Sequence, residues 1–99
     1  MKTIPLEFPP TMTGLAHNPY GREIYDKQVA GIIDFEGENT IIFPPQIKRV
    51  SASFVQGFFN SIVSKIGYDG LKNHIIIKSE AESDDDKDKL VRSIYDNLY

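Results

Sequence analysis

The chain has 99 residues, 11 Lys and Arg against 14 Asp and Glu, a formal net charge of −3, two histidines and no cysteine. That length suits one domain, able to hide about two-thirds of its surface around a single core. The lack of thiols excludes disulfides and thiolate zinc sites, and basic residues scattered along the chain argue against a nucleic-acid partner, whose phosphates draw clustered Lys and Arg. The opening "MKTIPLEFPP" has no apolar stretch of leader length, and no segment approaches a membrane span. A cytoplasmic protein with no membrane partner is therefore expected.

Residues 3–8, "TIPLEF", place Ile4, Leu6 and Phe8 on one face, and Pro5 cannot donate to a ladder, so this is an edge strand at most. Residues 9–21, "PPTMTGLAHNPYG", read as a loop, long enough in so small a domain to suggest a binding surface or a flap. Residues 1–20 are thus edge strand and loop, and 21–99 carry the core. In "REIYDKQVAGIIDFEGENTIIF", Tyr25, Val29, Ile32 and Ile33 share a helical face, which favours a helix over 21–34 closed by "EGEN". The competing reading is a hairpin in which "GIIDF" pairs with "TIIF". "NTIIFPP" is a buried strand over 40–44, stopped by two prolines.

In "SASFVQGFFNSIVSKIG", Phe54, Phe58 and Ile62 recur at helical spacing, with Val55, Phe59, Val63 and Ile66 beside them. Ser53 stands three residues before Gln56, a capping-box spacing, and Gly67 ends the helix. Gly57 lies inside it, where close approach of the sheet would explain the missing side chain. After the turn "YDG", "NHIIIK" over 73–78 is a second apolar strand. Both strands are continuous apolar runs of the kind buried on two faces. Three aspartates then open a last helix over 84–98, with Ser83 or Asp84 as N-cap and Leu90, Val91, Ile94, Tyr95 and Leu98 inward. The order of elements gives an α/β domain with a short, mostly parallel sheet and about three helices.

The register "TIIFPPQIKRVSASFVQGFF", together with "YGREIYDK", "GLKNHIIIK" and the final helix, resembles the STAS-like domain family of unknown function. The likeness runs over roughly residues 20–99. The wider relatives are anti-sigma factor antagonists, whose corresponding helix opens with an Asp-Ser-Ser-Gly signature carrying a regulatory phosphoserine. On this chain Ser53 falls at the phosphoserine position, Ser51 stands for the aspartate and Phe54 for the glycine. The resemblance implies a bacterial regulatory domain that partners an ATPase of the histidine-kinase or anti-sigma type.

Elsewhere the sequence offers little chemistry. His17 and His74 have no ligand spacing, so neither a metal nor a cofactor is expected. Ser53, His74 and Asp34 make a triad only on paper, without a nucleophile elbow. A non-enzymatic interaction domain is therefore expected, with Ser53, Ser51, Lys48 and Arg49 as candidate phosphorylation and docking residues. Both serines suit helix capping, and a phosphate at a helix start would add charge beside the basic pair Lys48-Arg49. The alternative is a small ligand-binding or hydrolase subunit using the 9–21 loop near His17 and Tyr20.

Overall fold

The computed structural model describes residues 1–99. Strands β1 (Lys2–Pro5), β3 (Asn39–Phe43) and β5 (Ile75–Ser79) form an all-parallel sheet in the order β1-β3-β5. A separate parallel ladder, two residues long, joins β2 (Gly14–Leu15) to β4 (Arg49–Val50). Three helices complete the α/β fold: α1 (Asn18–Ile24), which runs into a π-helical turn over Tyr25–Val29, α2 (Ala52–His74) and α3 (Asp84–Leu98).

The register explains where the core lies. Ile4, Ile41 and Ile77 form one cross-strand rung, each at most 4% exposed. The alternate rungs, Thr3-Thr40-Ile76 and Pro5-Ile42-Lys78, point away from the helices. Of those six residues only Thr40 is buried, and Ile76 is 37% exposed. The expectation that both apolar strands are covered on two faces is thus corrected: β5 alternates, and the sheet is packed on one face only. Lys2 and Leu6 donate to Glu38 and Ile42 of the neighbouring chain segment, which turns the Pro5 nitrogen outward. Its missing N–H costs nothing there, as an edge position requires. On the other edge the outward amide of Ile77 donates to the Tyr95 hydroxyl at 3.4 Å.

Twenty buried residues make one cluster. Phe58 is its hub, with the rings of Tyr25, Phe43, Phe54 and Phe59 at 4.8–6.4 Å between centroids. What lets α1 lie so close on α2 is a pair of glycines. A Cβ at Gly57 would overlap the Asn18 carbonyl oxygen, and one at Gly21 would overlap the Phe54 carbonyl and stand 2.8 Å from the Phe58 nitrogen. The gap at Gly57 therefore receives the start of α1, not the sheet.

Three boundaries differ from the sequence reading for physical reasons. α1 begins at Asn18, inside the supposed loop, and its regular part ends early because Ala30 donates to Tyr25 five residues back, at 2.9 Å. That wider turn shifts the face by one residue and throws Ile32 outward, 47% exposed. Neither the helix to 34 nor the hairpin forms beyond it: the fully buried Asn39 side chain bonds both Asp34 N and Asp34 O, at 2.8 and 2.7 Å, which removes "GIIDF" from any ladder. Further on, Gly67 does break the helix, at φ 70°, but the chain resumes helical geometry through "YDG" as far as His74, so β5 starts at Ile75.

The crossing yields a stability prediction measurable by urea denaturation. Gly21→Ala and Gly57→Ala should each cost about 2–3 kcal/mol through overpacking against backbone, and Phe58→Ala about 3–5 kcal/mol. Gly31→Ala, where no atom lies within 4 Å of the new methyl, should be neutral or slightly stabilising.

Candidate functional site

The start of α2 is fixed by the small ladder before it. The Thr13 carbonyl accepts from Lys48 N at 2.7 Å and Arg49 N at 3.3 Å, and the Leu15 carbonyl from Ser51 N at 2.8 Å. Ser51 is held extended by that last bond, at φ −73° and ψ 157°, so Ala52 becomes the first helical residue. The Ser51 hydroxyl then accepts from Phe54 N at 3.1 Å, and Ser51 O takes the first helical bond from Val55. The cap is therefore Ser51, and the capping box expected from Ser53 and Gln56 does not form. Ser53 lies one residue inside the helix, exposed, with no hydrogen bond from its hydroxyl.

Three of the four sequence-derived site residues come together. Lys48, Arg49 and Ser51 line an open groove of about 680 Å³ whose opposite wall is α3, through Lys89, Leu90 and Ser93. Ser53 stands on the turn just beyond it. Lys48 and Arg49 are exposed and form no ion pair, whereas Lys89 meets Asp85 at 3.1 Å with both side chains about three-quarters exposed. Such a surface pair contributes little and leaves the lysine available. Lys89 and Ser93 were not singled out from sequence; the only local signal is the spacing of Lys87, Lys89 and Arg92 just before Ser93.

The remaining candidates disperse. His74 sits at the far end of α2 from Ser53, its Nδ1 bonded to the Gly37 carbonyl at 2.8 Å, and Asp34 belongs to the same turn. The paper triad is not assembled. His17 is exposed at φ 76° before α1, and Tyr20 packs its ring between Phe8 and Phe54 while its hydroxyl meets Met12 Sδ at 3.6 Å. Partial burial, and then the nearby Glu23 carboxylate, push the Tyr20 hydroxyl above the ordinary tyrosine pKa against a smaller pull from Lys27. Tyr20 thus ties the 9–21 segment down, and neither it nor His17 lines a cavity. No three His, Asp or Glu side chains are grouped to hold a metal ion. No helix is long and apolar enough to cross a membrane.

Compared with known proteins, the chain matches no family model, and neither a curated protein nor a solved structure is significantly similar to it.

The two serines should separate in denaturation experiments. Ser51→Ala should lose about 1 kcal/mol with the cap, while Ser53→Ala should stay within about 0.5 kcal/mol of the parent, as exposed substitutions do. The reverse order would return the cap to Ser53.

Proposed function

We propose that this chain is a non-enzymatic regulatory domain that docks a partner protein through the start of α2 and the segments beside it, with Ser53 as its switch. The supporting observation is the division of labour between the serines: Ser51 satisfies the helix start, and Ser53 is exposed with its hydroxyl unbonded. A phosphate on Ser53 would sit in the first turn of a long helix, where the amides of Ala52 and Ser53 take no partner and the dipole favours negative charge. It would add close to two negative charges beside Lys48 and Arg49 without disturbing the cap. The STAS-like resemblance supplies the class of partner, an ATPase of the histidine-kinase or anti-sigma type.

The test is affinity capture from the native host, followed by calorimetry with the recovered ATPase. Parent and Ser53→Ala should bind equally, because alanine keeps the uncharged surface. Ser53→Asp should fold as well and bind at least about tenfold more weakly, as like charges set against each other across an interface do. Equal affinities for all three would end the switch, and recovery of no ATPase would end the partner assignment.

A further inference from the structure

The groove beside Ser53 has a charge pattern at odds with the rest of the chain. The protein carries 14 Asp and Glu and a net charge of −3, yet no acidic residue lines this groove, which draws Lys48, Arg49 and Lys89 to its rim. Its floor is apolar but already covered by the protein: Leu15, Val50 and Leu90 are 2%, 6% and 2% exposed. A small apolar molecule would gain little burial there, and the wide opening would leave it wet, unlike sites that enclose most of a ligand. Recognition in this groove has to come from the rim. One wall is the hydrogen-bonded pair of segments 13–16 and 48–51, and the other is α3 through Lys89, Leu90 and Ser93.

Resting on the reading that this domain engages a partner protein, we propose that the groove docks an acidic segment of that partner. Its carboxylates pair with Lys48, Arg49 and Lys89, and the hydroxyls of Thr13 and Ser93 lie within the same lining to meet its polar groups. The open groove between the ladder and α3 admits a peptide segment, and negative charge fits the rim. Glu82 and Asp86 line a separate depression that shares only Lys48 with this groove, Lys48 and Arg49 form no ion pair, and the exposed Asp85 that meets Lys89 at 3.1 Å is a surface partner that a ligand carboxylate can displace. The same pattern explains how Ser53 phosphorylation would release the partner. A phosphate near the rim repels the acidic segment and competes for its cations.

The probe is a fluorescein-labelled twelve-residue peptide with six glutamates, compared with its glutamine counterpart and with a single-stranded oligonucleotide of equal charge, by fluorescence polarisation at two salt concentrations. The parent should bind the acidic peptide at least about tenfold better than the glutamine peptide or the oligonucleotide, less well at high salt. Reversing the rim with Lys48→Glu, Arg49→Glu and Lys89→Glu should abolish that preference. The milder Lys48→Gln, Arg49→Gln and Lys89→Gln variant, checked by its melting curve, should weaken it and stands in if the reversed chain misfolds. Equal binding of both peptides, or tighter binding of the oligonucleotide, would overturn the proposal. So would concentration-dependent self-association of the parent that the reversed variant loses, since the occupant would then be the acidic start of α3 in a second copy. Because the probe is a peptide, its failure counts against the groove alone, whereas failure to capture an ATPase counts against the partner.

Discussion

The whole arrangement depends on α1 reaching the backbone of α2 at Gly21 and Gly57. Two helices that carry ordinary side chains at their crossing stay 8–10 Å apart; here each glycine leaves the space that a carbonyl group of the other helix occupies. The close approach seats Phe54 and Phe58 between α1 and the sheet, so that Tyr20, Tyr25 and Phe43 all meet the same pair of rings. It also fixes α2 in rotation. With Phe54 and Phe58 held inward, Ser53 and Gln56 are turned to solvent.

A second constraint sets where α2 begins. The ladder between β2 and β4 is only two residues long, but it ends on the bond from Ser51 to Leu15 and so holds Ser51 extended at the one position from which its hydroxyl caps the helix. The same ladder places Lys48 and Arg49 on the groove. Fold and proposed function meet at this point: the residue that caps the helix start is distinct from the residue offered for modification, so charge can change at Ser53 while the cap is kept.

Much of this was legible in the sequence because periodicity reports burial directly. The stripe of Phe54, Phe58 and Ile62, the inner face of α3 and the edge role of Pro5 all rest on local spacing, and the structure has each of them; of Ser83 and Asp84, both open as caps of α3, Ser83 takes the position. What was not legible depends on partners distant in the chain. The reason for Gly57 is Asn18, the fate of "GIIDF" is decided by the Asn39 side chain, and the choice of Ser51 over Ser53 is made by Leu15. Ile76 looked buried because an apolar run does not reveal that one face of the sheet lacks a covering layer. Likewise Lys48 and Arg49 stood out as a pair, but only the packing of α3 adds Lys89 to them.

The proposed docking surface is the start of α2 and its groove, and not the open face of the sheet. The most direct measurement is a two-dimensional amide NMR titration of the isotope-labelled chain with the captured ATPase. Shifts and broadening should concentrate in residues 13–16, 48–53 and 89–93, with the amides of Thr3, Ile42, Ile76 and Lys78 unmoved. Perturbation centred on those four residues, with the start of α2 silent, would place the partner on the sheet and contradict the account.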